Sequence, residues 1–305
     1  MVGPPASSGY DGHPGLQWLG SCPEGRSWLA SLGTLVGECA RTWELAVGPP
    51  FADAFASLAL PVTRADGTPA VLKVQFPDAD SEHEAPALER WDGAGAVRLL
   101  AWDAGRRALL LERCEPGTSL ADAAAGGDTD GALAVLVGLA RRLLVPAGAP
   151  FRGAAELAPG WAVAVRRGWE RCGRPFERRL VEAAESFLAD LPRSGHDTVL
   201  VDQDLHAGNV LSARRQPWLV IDPKPVAAEP ALAAASVVRG AELGHGPEPV
   251  RRRLDAVVAE LGLDRERARA WTVAHTLAWA FGAEGVLPGH VEVARWLLDD
   301  GRRRR

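Results

Sequence analysis

The 305-residue sequence predicts an α+β protein in which a small antiparallel sheet with one helix precedes a larger, mainly helical part. Three observations predict it. Strand-like runs of aliphatic and β-branched residues crowd into residues 43–113. The turn sequences R-A-D-G-T (64–68) and D-A-G-R-R (103–107) join neighbouring runs as hairpins. Beyond E-P-G-T (115–118) the apolar spacing becomes helical almost to the end.

Element by element, residues 1–15 are rich in Gly, Pro and Ser and are expected to form a poorly ordered tail. Leu16 to Arg41 reads as helix with a break near Pro23. W-E-L-A-V (43–47), S-L-A-L-P-V (57–62) and A-V-L-K-V-Q-F (70–76) read as strands. S-E-H-E-A-P-A-L-E-R-W (81–91) is a short helix, its proline near the first turn where the missing N–H costs nothing. V-R-L-L-A-W (97–102) and A-L-L-L-E-R (108–113) are again strands. Helical periodicity then marks Leu133–Leu144, Trp161–Trp169, Phe176–Leu191 and three C-terminal stretches, 250–261, 265–281 and 291–298. Two apolar runs, T-V-L-V (198–201) and P-W-L-V-I-D (217–222), interrupt them as strands. The expected organisation is a tail (1–15), a sheet-bearing part (16–113) and a helical part (114–305).

Hydrophobic residues make up 47% and charged residues 24%, the balance of a globular chain. No apolar run reaches the roughly 18–20 residues of a membrane span, and the start lacks a secretory pattern. Cys22, Cys39, Cys114 and Cys172 are scattered without CxxC spacing, so reduced thiols and a cytoplasmic location are expected rather than a zinc site. A net charge of −5 gives no sign of a nucleic-acid surface, and the basic run Arg302–Arg305 reads as a solvated end. Of 34 basic residues only Lys73 and Lys224 are lysines. In so arginine-rich a chain, a retained lysine suggests a need for a compact ammonium.

The chemistry concentrates in V-D-Q-D-L-H-A-G-N-V-L (201–211) and in Asp222, which ends an apolar strand before a proline. An asparagine amide oxygen and an aspartate carboxylate are hard ligands suited to Mg²⁺. A further carboxylate nearby can hold a hydroxyl in line with a phosphoryl group.

These segments resemble the Brenner-type loop of aminoglycoside and other antibiotic kinases, whose usual form is H-G-D-L-H-x-x-N followed by I-D. With L-P-V-x-R-A-D-G-T-x-A-V-L-K (60–73), A-L-x-x-W-D-G-x-G-A-V-R-L-L (87–100), L-L-L-E-R (109–113) and P-W-L-V-I-D-P-K (217–224), the chain resembles the streptomycin 6-kinase and hydroxyurea kinase group of the aminoglycoside phosphotransferase superfamily. The resemblance covers roughly residues 28–285. It implies a protein-kinase-like, two-lobed fold, with the antiparallel sheet in the N-lobe and a mainly helical C-lobe. It implies ATP, with GTP not distinguished from it, and Mg²⁺ as cofactors. Lys73 would contact the α- and β-phosphates, with Glu84 as its partner and Glu82 as a competitor. The backbone of Glu112 to Cys114 would bind adenine. Asp204 would orient or deprotonate the acceptor hydroxyl, and Asn209 and Asp222 would hold Mg²⁺. His206 reads as a brace for the loop rather than a general base. Lys224 approaches the phosphates or covers the loop. Glu284 would meet a cationic antibiotic, or be a solvated helix end, and Trp271 and Trp279 read as core. No G-x-x-x-x-G-K-[ST] is present, so a P-loop enzyme is not expected.

Three departures stand out. The segment between the first two strands, A-V-G-P-P-F-A-D-A-F-A-S-L (46–58), is poor in glycine, and Ser57 is its candidate phosphate contact. Asp202 and Gln203 replace His-Gly, which adds a negative charge two residues from Asp204. Ala233 stands where the family places an aspartate that supports the loop. The expected function is O-phosphorylation of an aminoglycoside, foremost streptomycin at its 6-hydroxyl, giving resistance. The alternatives are a kinase of hydroxyurea or a metabolite, and a nucleotide-binding pseudokinase.

Overall fold

The computed structural model describes residues 10, 12–52, 55–194, 198–282 and 285–303. In its N-terminal part the period-2 pattern becomes an antiparallel five-stranded sheet. The strands are β1 (Leu45–Val47), β2 (Ser57–Arg64), β3 (Pro69–Gln75), β4 (Leu99–Asp103) and β5 (Ala108–Glu112), in the order β1-β2-β3-β5-β4. Alternation sends Leu58, Leu60 and Val62 of β2 and Ala70, Leu72 and Val74 of β3 to one face. A helix, α1 (Pro23–Thr42), covers that face with Trp28, Leu29, Leu32, Val36 and Cys39, which recur at helical spacing. Cys22 caps α1 by accepting the Gly25 N–H, and Pro23 occupies the first turn. The opposite face carries Ser57, Ala59 and Pro61, cross-strand from Gln75, Lys73 and Val71. The short helix α2 (Glu84–Trp91) follows β3 and ends at Asp92, in left-handed conformation (φ 43°).

The described chain starts earlier than composition suggested. His13, expected within a poorly ordered tail, is buried, and a 3-10 helix spans Pro14–Ser21. Residues 1–9 and 11 of that expected tail lie outside the described residues.

Two compact units divide the chain: residues up to Gly93 with Val97–Cys114, and Ala94–Ala96 with Glu115 onward. The second unit opens with β6 (Pro116–Ser119) and α3 (Leu120–Ala124), followed by α4 (Thr129–Leu143), α5 (Ala154–Arg171) and α6 (Arg178–Ser194). Next come β7 (Val199–Asp202), β8 (Val210–Ala213), β9 (Trp218–Val220), β10 (Pro225–Ala228) and α7 (Ala234–Arg239). The last elements are α8 (Pro247–Leu261), α9 (Arg265–Ala278), the pair β11 (Phe281–Gly282) and β12 (Gly285–Val286), and α10 (Pro288–Arg303). A core of Ala154, Ala158, Leu188, Val201, Val226, Leu232, Trp271 and Ala274 binds α5, α6 and α9 to β7 and β10. Trp271 is therefore core, as expected, and its indole N–H donates to Glu229 at 2.5 Å. Among the described residues no helix is long and apolar enough to cross a membrane.

Candidate active site

Two ladders place the functional loop. β7 pairs antiparallel with β10, setting Asp202 opposite Pro225, and β8 pairs with β9, setting Val210 opposite Val220. The segment 203–209, which leaves β7 and enters β8, must therefore run beside 221–224, which leaves β9 and enters β10. Backbone bonds tie the two segments together: Gln203 N–H donates to Lys224 O at 3.0 Å, and Ile221 N–H donates to Asn209 O at 2.9 Å. Asp204, Asn209, Asp222 and Lys224 gather here for this reason.

Asp204 has one carboxylate oxygen, Oδ1, 3.3 Å from the Arg239 guanidinium. Its other oxygen faces the Asn209 amide nitrogen at 3.5 Å, a long contact, and its main-chain oxygen accepts from that nitrogen at 3.1 Å. With the amide nitrogen engaged, the Asn209 oxygen is the end left to meet a cation. Asp222 lies at φ 49°, a left-handed conformation that aspartate tolerates better than most side chains. Its Oδ1 accepts from the Lys224 ammonium at 2.7 Å. Lys224 thus belongs to the Asp222 carboxylate. Among the described residues no three His, Cys, Asp or Glu side chains cluster as a metal cage. Asn209 and Asp222 are a pair of hard oxygen donors, which fits Mg²⁺, an ion that keeps waters and phosphate oxygens as its remaining ligands.

His206 donates from Nδ1 to Glu242 at 2.5 Å, and its carbonyl accepts the Asn209 N–H. Burial opposes the imidazolium charge, but the hydrogen bond and negative charge of Glu242 outweigh it, so the His206 pKa is raised. Burial likewise works against ionised Glu242, and the His206 contact prevails, bringing Glu242 down to about 2. Gly208 must stay small, because a Cβ there would lie 2.8 Å from the His206 ring. These contacts tie the His206 ring to Glu242 and its carbonyl to the Asn209 N–H.

The departures from the usual motif find physical explanations. Asp202 is buried, and its Oδ1 accepts the N–H groups of Asp204 at 3.0 Å and Lys224 at 2.9 Å. It stitches together the two segments that carry Asp204 and Asp222. Burial, reinforced by the Asp204 charge, lifts its pKa to about 7. The Gln203 side chain bridges His275 Nε2 (2.9 Å) and Lys224 O (3.3 Å). His275 Nδ1 meets Arg239 at 3.2 Å, which assigns the Nε2–H tautomer. Burial first, then the Arg239 charge, holds that imidazole neutral, its pKa well below the usual value. Ala233 is buried in the apolar core and supports nothing polar. Bonds to the 202–203 segment come instead from α7, where Ser236 donates to Asp202 O (3.2 Å) and Arg239 to Gln203 O (2.8 Å). The Arg239 guanidinium also lies 4.6 Å from the centre of the Trp279 ring.

Arg239, Glu242 and Ser236 did not emerge from sequence reasoning. The available signal was an arginine closing the apolar run A-L-A-A-A-S-V-V (231–238), since a charge there needs a buried partner.

In the first unit, Lys73 donates to Glu84 at 2.6 Å, and Gln75 reaches the same carboxylate oxygen at 2.6 Å. Both Lys73 and Glu84 are buried. The choice between Glu82 and Glu84 is thereby made in favour of Glu84. Ser57 opens β2 opposite Gln75, two residue pairs from Lys73 and on the same face. Glu112 ends β5, its N–H bound to Arg98 O and its carboxylate to Arg98 N–H. The chain leaves the unit at Cys114. Glu284 lies outside the described residues.

Residues 42–284 match the family described as Aminoglycoside/hydroxyurea antibiotic resistance kinase. The chain belongs to that family. It is similar to a streptomycin 6-kinase of Streptomyces glaucescens, with 38% identity across 90% of this chain and 92% of the relative. It is also similar to a hydroxyurea phosphotransferase of Kitasatospora aureofaciens, with 41% identity across 82% of this chain and 72% of the relative. The fold matches a choline kinase of Streptococcus pneumoniae with a TM-score of 0.59 at 12% identity, over 87% of this chain and 98% of that one. The fold is therefore protein-kinase-like, and the protein is an enzyme, a kinase.

Proposed function

We propose that this kinase is an ATP- and Mg²⁺-dependent O-phosphotransferase of the cytoplasm that phosphorylates an aminoglycoside, streptomycin at its 6-hydroxyl, and so confers resistance. The observation that carries the reading is the Asp204 carboxylate, held by Arg239 through one oxygen and set on a loop stitched to Asp222. Asp204 accepts the acceptor hydroxyl's proton or orients that hydroxyl toward the phosphoryl group. Asn209 and Asp222 hold Mg²⁺, which neutralises charge on the phosphates when bound. Lys73, fixed by Glu84, contacts the α- and β-phosphates, Ser57 lies on the same sheet face, and the main chain of Glu112 to Cys114 meets the base. Streptomycin is favoured by the relative that matches nearly end to end. The second reading, hydroxyurea as acceptor, is favoured by the hydroxyurea phosphotransferase relative.

The test is ADP release from Mg-ATP with streptomycin, with hydroxyurea and without acceptor. Release that needs streptomycin supports the reading. Release that needs only hydroxyurea moves the assignment to the second reading, and release with neither rejects both acceptors.

A further inference from the structure

The connection between β1 and β2 has the sequence G-P-P-F-A-D-A-F-A (48–56), and its described parts, 48–52 and 55–56, are bonded to the N-terminal segment. The buried His13 ring accepts the Gly15 N–H at Nδ1 (3.3 Å). The ring proton is therefore on Nε2, which donates to Phe51 O at 2.8 Å. Five residues on, the Trp18 indole N–H donates to Phe55 O at 2.8 Å, and its ring stacks on the Phe55 ring at 5.1 Å. Two carbonyls of the connection are thus taken by side chains nearly forty residues away in sequence. The anchoring segment is itself fixed, because Leu16 and Leu19 are fully buried in the core beneath the sheet, with Tyr10 and Trp18 packed against it. Further bonds tie the connection to the strands: Gly48 N–H to Pro61 O, Phe51 N–H to Ala59 O and Phe76 N–H to Ala56 O. Ala59 stands directly across from Lys73. The anchored stretch is therefore bonded to the strand pair that carries the lysine.

We infer that residues 13–18 are a built-in brace for nucleotide binding, with His13 and Trp18 as positioning residues that hold the β1–β2 connection beside the Lys73 strand pair. This rests on the reading of Lys73 as a phosphate contact. A glycine-rich connection settles around phosphates by changing its backbone. A connection with one glycine and two prolines has little of that freedom and must be held ready before the ligand arrives, which lowers the ordering cost of binding.

The test compares wild type with His13→Leu and Trp18→Leu, which remove the donors, and with His13→Gln and Trp18→Phe. Gln keeps a terminal N–H, and Phe keeps the stacking. Calorimetric binding of Mg-ADP, KM for ATP and KM for streptomycin are measured on each, with the melting temperature as the check on folding. Both Leu variants should weaken Mg-ADP binding and raise KM for ATP about tenfold, with KM for streptomycin unchanged. His13→Gln should restore most of the loss, and Trp18→Phe should show a smaller one. If the Leu variants do not fold, Trp18→Phe decides, by binding Mg-ADP more weakly than wild type. Folded Leu variants that bind Mg-ADP like wild type overturn the brace, as does, where these do not fold, a folded Trp18→Phe that binds it like wild type, or an equal rise in both KM values. A wild type that binds no nucleotide overturns the Lys73 reading, and the brace with it.

Discussion

Replacing Asp202 with asparagine should remove a pH dependence of stability that the wild type carries. The Asp202 side chain is buried, with Oδ1 accepting two backbone N–H groups and Oδ2 without a hydrogen-bond partner among the described residues. Burial, aided by the Asp204 charge and opposed by those N–H groups, raises its pKa from 3.8 to about 7. A carboxyl with a raised folded pKa holds its proton more tightly in the folded state. Its contribution is therefore greatest below the unfolded value near 3.8 and falls as pH climbs through about 7. At roughly 1.4 kcal/mol per unit, the whole shift corresponds to about 4 kcal/mol, and the window from pH 5 to pH 8 to about 2–3 kcal/mol. Asparagine keeps an acceptor for both N–H groups and does not titrate. Its amide nitrogen in place of Oδ2 costs about 1–3 kcal/mol, but that cost is the same at every pH and cancels from the slope. Urea denaturation of both proteins with chelator present should show the wild-type advantage shrinking by about 2–3 kcal/mol between pH 5 and pH 8. Parallel stability curves would refute the assignment of a buried, proton-holding carboxyl at 202.

Three further outcomes follow from the same geometry. Lys73→Met leaves the Glu84 carboxylate buried without its cation and should cost about 3–5 kcal/mol in denaturant unfolding, with nucleotide binding lost even where the variant is folded. Glu242→Gln removes the partner that raises the His206 pKa, so the His206 ring, followed by proton NMR, should titrate at lower pH than in wild type; an unchanged midpoint would rule out the pair as the cause. Lys224→Met frees the Asp222 carboxylate from its ammonium, and Mn²⁺ binding without nucleotide, read by electron paramagnetic resonance, should tighten about tenfold. Weaker binding would show that Lys224 supports the cation rather than competing with it.

The sheet unit was legible because its strands alternate cleanly and its hairpin turns are short. Lys73, opposite Ala59 and Leu109, sits where the run A-V-L-K-V-Q-F placed it. In the second unit the long helices were legible, and the short elements were not. β10 is P-V-A-A and α7 is A-A-S-V-V-R, too brief and too rich in alanine to carry a period. Those two elements organise the loop, one by pairing with β7 and the other by sending Ser236 and Arg239 to it. The groups bound by Arg239 and Glu242, at Gln203, Asp204 and His206, lie some 35 residues away in sequence. Such contacts belong to tertiary structure, and no local pattern announces them. Asp202 shows the reverse case. Its position drew attention as a departure, but its role as a stitch between two loops needed the β7–β10 register.

The most direct test of the account follows the phosphoryl group itself. Protein, Mg-ATP and streptomycin are incubated together and the antibiotic is examined by phosphorus NMR, with Asp204→Asn as the matched control. The account predicts a phosphate ester on the 6-hydroxyl with the wild type, and a rate lower by about 10²–10⁴ with the variant, the usual share of a positioned proton acceptor. Streptomycin phosphorylated equally fast by Asp204→Asn, or left unmodified by a wild type that binds nucleotide, would contradict it.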